Sequence, residues 1–266
     1  MKRALIIVGM LLAASACLAQ RPARQLHAKS QQEVADYNAA FTLRGGAAME
    51  KAADDFAAAY PGSELLPSLY INAMRSYQVE ENPGRLLMMG EKALALDPDN
   101  PVPLVLTAYV LADSLNATER DRNRKADDVK KYANHALQTM DSGYVAPSSA
   151  TADQVAAYKA ALRSMAYSAL GITKLKTGDD SGAERDLKAA ADMNSVQPDP
   201  YIWYHLSLAQ EHRKQYAAAL HSVEQAMQLA SSNPELQRLA EMEHDKLLDL
   251  TAKPRRAPTV PGTSPK

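Results

Sequence analysis

Between residues 31 and 232 the chain keeps restarting the same short pattern. One segment closes on Glu91-Lys92-Ala93-Leu94-Ala95-Leu96-Asp97-Pro98, another on Ala133-Asn134-His135-Ala136-Leu137, a third on Val223-Glu224-Gln225-Ala226-Met227-Gln228-Leu229. Pro67 to Pro101 spans one period of 34 residues. Inside each unit small and apolar residues recur at three- and four-residue spacing, the signature of amphipathic helices. Helix breakers fall between them: Gly45-Gly46, Pro61-Gly62, Asn82-Pro83-Gly84, Asp97-Pro98, Gly178-Asp179 and Asn233-Pro234. A pair of helices this short cannot bury its apolar face alone, so successive pairs must stack in a line. That requirement excludes a fold organised around one central sheet.

Composition supports the same conclusion. Alanine accounts for 48 of 266 residues, and valine plus isoleucine for only 17, too few for a large buried sheet. A chain rich in helix formers and in small side chains favours helices packed closely together.

The recurring positions resemble the tetratricopeptide repeat (TPR) family, a helix–turn–helix unit of 34 residues. The family pattern has an aromatic at position 4, Leu at 7, Gly or Ala at 8, Tyr at 11, Ala at 20, a bulky residue at 24, Ala at 27 and Pro at 32. The unit from Pro200 places Trp203, Leu206, Ala219, Val223 and Ala226 on this pattern, with Ser207 in place of the small Gly and the Pro late, at Pro234. The unit from Ser164 supplies Tyr167, Leu170, Gly171, Ala183, Leu187 and Ala190. The unit from Pro67 supplies Tyr70, Ala73, Tyr77, Leu86, Ala93 and Pro98, but has Gly90 where a bulky residue is expected. The Pro101 unit is degenerate, with helices at about 102–115 and 125–140 and an insertion around 116–124. Upstream, a pair at 31–43 and 47–59 ends Phe56-Ala57-Ala58-Ala59-Tyr60-Pro61-Gly62-Ser63, similar to the F-x-x-x-Y-P-x-S endings of exported envelope repeats.

The resemblance implies an all-α fold, a right-handed α-solenoid of TPR-like repeats with a C-terminal capping helix. The units lie near 31–66, 67–100, 101–140, 152–199 and 200–232. The loop 141–151 forms the irregular joint, and the cap spans 233–252. Asn233 serves as its N-cap and Pro234 as its first residue. Residues 20–30 read as a flexible lead, and 253–266, with four prolines, as a disordered tail.

The chain opens on an address. Met1-Lys2-Arg3 is a positive start, followed by an uncharged, mostly apolar run over 4–14 and then by small residues. This is the order of a secretory signal peptide, and the run is shorter than the roughly 20 residues a spanning helix needs. Two cleavage patterns compete. Cleavage after Ala19 leaves Gln20 as the mature start and removes the only cysteine. Alternatively Ala14-Ser15-Ala16-Cys17 resembles a bacterial lipobox, with Cys17 lipidated, although Ala14 stands where the motif usually has Leu. Either way the protein is expected outside the cytoplasm, in the periplasm or beyond it, with the membrane touched only through a lipid anchor.

Chemistry is sparse. The formal charge of −1 offers no field for nucleic acid, so none is expected as a partner. One cysteine excludes a disulfide framework and a multi-cysteine zinc site. The histidines His27, His135, His205, His212, His221 and His244 form no metal-ligand spacing. No phosphate-binding loop, dinucleotide fingerprint or nucleophile elbow is present. The chain is therefore expected to be a non-enzyme without cofactor or metal. The mixed charges of 119–131 read as a solvated helix start.

In the TPR family the first helix of each unit lines the concave groove, chiefly through positions 2, 5, 6, 9, 12 and 13. Carried over, these are Ser68, Ile71, Asn72, Arg75 and Gln78; Val105, Leu106, Tyr109 and Asp113; Met165, Ser168, Ile172 and Lys176; and Tyr201, Tyr204, His205, Leu208, Glu211 and His212. Aromatics with a few polar groups suit a peptide or helix ligand. Asn72 and Arg75 are similar to half of the clamp that some members use for a C-terminal carboxylate. Trp203, at a normally buried position, is expected in the core. The functional expectation is an exported scaffold that binds a protein or peptide. The alternatives are a lipidated structural protein of envelope assembly and a cell-wall accessory protein suggested by the groove tyrosines.

Overall fold

The computed structural model describes residues 26–116, 120–147, 149–194 and 197–252, and these form eleven α-helices and no strand. They are α1 (Gln31–Phe41), α2 (Gly46–Ala59), α3 (Leu66–Val79), α4 (Pro83–Leu96), α5 (Pro101–Asp113), α6 (Arg122–Thr139), α7 (Ala152–Thr177), α8 (Asp180–Met193), α9 (Pro200–His212), α10 (Tyr216–Leu229) and α11 (Pro234–Ala252). The expected signal segment with Cys17 and the Pro-rich tail lie outside the described residues. Among the described residues no helix is long and apolar enough to cross a membrane.

The breakers work as the sequence requires. Asn82, Asn100 and Asp199 each accept a backbone N–H at a helix start, and each is followed by Pro at the first helical position. Thr151 and Gln154 form a reciprocal capping box at the start of α7. Asn233 accepts the Leu236 N–H at 3.1 Å and caps α11. The turn inside a pair repeats at the backbone level: Glu81, Gly178 and Lys214 hold the same place in three units, and all have positive φ, at 52°, 89° and 59°. Gly178 takes that conformation without strain, whereas Glu81 and Lys214 bring a Cβ into the left-handed region.

Helices pack pairwise, α1 with α2, α3 with α4, α5 with α6, α7 with α8 and α9 with α10, and each second helix then packs on the next first helix. This is the α-solenoid, closed at its C-terminal end by α11 against α10. Alanines mark the closest approaches: Ala73, Ala93, Ala108, Ala183, Ala190, Ala219 and Ala226 are all wholly buried. At Gly171 a Cβ would stand 2.6 Å from Leu187 Cγ, so α7 and α8 meet at a distance only glycine allows. Gly90 is explained the same way. A Cβ there would meet Thr107 Oγ1 at 2.7 Å and Met74 Cε at 3.0 Å, so Met74 fills the volume of the missing bulky side chain.

Three expectations shift. Helix α6 begins at Arg122, not near 125, because the Arg122 guanidinium donates to the Lys176 carbonyl and draws the start of the helix against α7. The end of the lead is seated, since Leu26 and Ala28 pack on the core and the His27 N–H donates to Glu64 at 3.0 Å. Trp203 is half-buried, not part of the sealed core; its ring packs at the junction of the main cluster and the smaller C-terminal one.

Candidate binding groove

Packing defines the inner face. Each first helix touches the next first helix, α1 to α3, α3 to α5, α5 to α7, α7 to α9 and α9 to α11, while successive second helices make at most glancing contact. The row of first helices therefore lies at the smaller radius, and the groove is theirs.

Helix α7 breaks the regularity of that row. It has 26 residues, about 39 Å of helix, where α1, α3, α5 and α9 have eleven to fourteen. The helix packs on α5, and its surplus turns reach α3. Arg75 Nη2 donates to the Tyr158 hydroxyl at 2.5 Å, and the guanidinium carbon lies 5.7 Å from the centre of the same ring. Tyr158 packs on Tyr144 with ring centres 5.3 Å apart. Lys159 and Arg163 both reach the Asp141 carboxylate, at 3.1 and 2.8 Å.

This cover corrects part of the expected groove. Val105 and Leu106, at 0% and 5% exposure, are core, because α7 lies over the face of α5 that would have been open. Ile71, Ser168 and Ile172 are buried as well, pressed between adjacent first helices. Asn72 is half-buried and donates to the Phe41 carbonyl at 3.1 Å, so it ties α3 to the end of α1. Arg75 is held by the chain itself, through the hydroxyl and ring of Tyr158. Gln78 is exposed at the end of α3.

The C-terminal part of the inner face stays open, and it collects the other expected residues. Tyr109 and Asp113 come from α5, Lys176 from α7, Tyr201 and His205 from α9, and Asp199 from the cap of α9. Tyr109 is half-buried; burial raises its phenol well above the ordinary range, and the Asp199 and Asp113 carboxylates add to the shift. Burial likewise pushes the Asp199 carboxyl up, against the Tyr201 N–H that it accepts at 2.9 Å. Tyr201 is exposed and its hydroxyl accepts from Asn233 Nδ2 at 2.9 Å, which joins α9 to the start of α11. His205 Nδ1 donates to the Tyr201 carbonyl at 2.8 Å, and burial lowers its pKa. Lys176 Nζ donates to the Ala112 carbonyl at 3.0 Å and the Asp113 carbonyl at 2.5 Å, capping the negative end of α5; burial lowers its pKa.

Two expected groove residues stand apart from this cluster. His212 Nδ1 donates to Asp180 at 2.9 Å and closes the mouth between α8 and α9. Tyr204 is half-buried in the C-terminal cluster, where burial and the Glu243 carboxylate raise its phenol. Sequence reasoning missed Asp199, Tyr144 and Tyr158. Asp199 reads as a helix cap, which it is, and nothing local reveals that the cap also faces the groove. The excess length of α7 was legible, but not the direction in which it leans.

Among the described residues no cluster of three or more His, Cys, Asp or Glu is placed to hold a metal ion. No protein-family model matches the sequence, and no curated protein is similar to it. Solved structures do match by fold. A thermophilic TPR protein of Thermus thermophilus superposes with a TM-score of 0.51 over 79% of this chain and 98% of its own, at 15% sequence identity. At that identity the likeness concerns the fold, and the fold of this chain is TPR-like.

Proposed function

We propose that the protein is an exported, non-catalytic adaptor that captures a polypeptide on the open, C-terminal part of its inner face. The observation that carries this reading is the meeting of Tyr109, Tyr201 and His205 beside Asp199, a carboxylate that burial holds above its usual range. Tyrosines supply apolar area with little entropy to lose on binding. A partly desolvated carboxylate gains from an incoming cation. The fitting partner is a segment that presents a lysine or arginine next to apolar side chains. TPR-like folds are in general protein-interaction scaffolds, in line with this assignment.

A photo-reactive residue at Tyr201 tests it in the native envelope. The expected result is a polypeptide adduct from Tyr201 and far less from Arg75, which Tyr158 already holds. No adduct from Tyr201, or equal capture from both sites, would end the reading. Export rests on the sequence of residues 1–20. The mass of the mature N-terminus decides it: a chain starting at Gln20 fits soluble export, a diacylglyceryl adduct on Cys17 fits the lipidated alternative, and an intact Met1 removes both.

A further inference from the structure

A second recess lies away from the groove. It opens between the second helices α8 and α10, on the outer side of the array, with a volume of about 340 Å³. That is at the lower end of the roughly 300–1,000 Å³ of small-ligand sites, and fits one ring-sized group. Its apolar walls are Ala191 from α8, Ala218 from α10, and Trp203 and Leu206 from α9, and the charged Lys188 and Asp192 of α8 line it too. The indole is left half-open because the two alanines facing it are too short to cover it. His221 stands edge-on to the indole, with ring centres 6.5 Å apart at 88°.

The equivalent aromatic in the Pro67 unit is treated differently. Tyr70 is only 6% exposed, donates to Asp54 at 2.9 Å, and is covered by the Lys92 ammonium 5.2 Å from its ring centre. Near Trp203 the lysine on the rim, Lys188, is drawn to Glu184 at 2.6 Å, so its ammonium is engaged elsewhere.

The recess also has a polar point. Gln210 is 3% exposed and lines it. Its Oε1 accepts from Ser222 Oγ at 2.7 Å. Among the described residues its Nε2 has no hydrogen-bond acceptor. That amide donor is free to serve an acceptor entering the recess.

We propose that this recess is a binding site for the side chain of a partner's tyrosine. The ring would pack on the Trp203 face with His221 at its edge, an arrangement aromatic groups favour. The phenol oxygen would accept from Gln210 Nε2. The open indole face, flanked by Leu206, Ala191 and Ala218, offers a flat apolar ring the contact area of the recess, and Gln210 offers its hydroxyl a donor.

Trp203 is the single tryptophan of the chain, so its fluorescence reports on this site alone. The purified chain is titrated with N-acetyl-tyrosinamide, with excitation at the red edge of the indole band where phenols do not absorb. Saturable quenching or a shift is expected. N-acetyl-phenylalaninamide should bind roughly 3- to 10-fold more weakly, the worth of one hydrogen bond. Ala218→Leu, which fills the recess from α10, should abolish the response, and Gln210→Met should remove the preference for the phenol, each checked for folding by circular dichroism. Should Ala218→Leu fail to fold, Ala191→Leu fills the recess from α8. No saturable change, an unchanged response in the folded filling variant, or tighter binding of methyl glucoside than of the tyrosine amide would each overturn the proposal.

Discussion

At the residue scale, Trp203 and His205 illustrate two kinds of half-buried group. Trp203 bridges the two hydrophobic clusters with one face open. Replacing a sealed core aromatic by alanine costs roughly 3–5 kcal/mol. Trp203→Ala should cost less, about 2–3 kcal/mol by urea unfolding, since the removed ring leaves a partly open crevice in place of a sealed void. His205 carries a proton-linked term. Burial lowers its folded pKa below the ordinary 6.5, and the nearby Lys176 charge lowers it further, while the Tyr201 carbonyl and Asp113 act the other way. In the window below pH 6.5 the unfolded chain therefore binds a proton that the folded chain resists, so this term lowers stability as the pH falls through 6.5. Burial raises the carboxyls of Asp199 and Glu243, whose terms have the opposite sign, so total stability alone is uninformative. The difference between wild type and His205→Asn isolates the effect: urea midpoints should diverge near neutral pH and converge as the solution is acidified.

At the element scale the surplus turns of α7 are the departure from a regular array. They hold on through polar pairs at their edges: Tyr158 with Arg75, and Lys159 and Arg163 with Asp141. Such exposed pairs are individually weak. Tyr158→Phe should lower global stability by less than about 1.5 kcal/mol. Amide exchange should speed up over residues 152–163 and stay unchanged over the second half of the helix, which packs on α8. Equal protection across all of α7 in the variant would show that the Arg75 contact does not hold the extension. The helix itself was legible in its periodicity from Ala152 to Lys176, after the Pro- and Ser-rich loop 141–151. Its cover of α5 was not, because Val105 and Leu106 carry the same apolar pattern whether they face a partner or α7.

At the scale of the whole molecule, stability propagates between neighbours along a line. The ends of such a line need a solvated face. Helix α11 provides it by burying Ala240 and Leu247 beside Val223 and Ala226 of α10. Deleting residues 234–252 would bare that apolar stripe. The expected outcome is self-association, or loss of protection over α9 and α10, with the units up to α8 retained; size exclusion with light scattering and amide exchange distinguish these results. A deletion chain that stays monomeric with α9 and α10 fully protected would show that α11 is dispensable as a cap.

The 34-residue recurrence, the breakers and the placement of alanine by themselves determined the helix pairs, their order and their stacking into a solenoid. These are local and periodic properties, and each unit states them independently. Only the tertiary structure decided which first helices remain open. Burial at a groove position depends on which distant segment lies over it, and α7, which packs on α5 and reaches Arg75 of α3, has a sequence that specifies its length but not its neighbours. The same holds for Trp203, placed at a core position by its repeat and left half-open by two alanines on other helices.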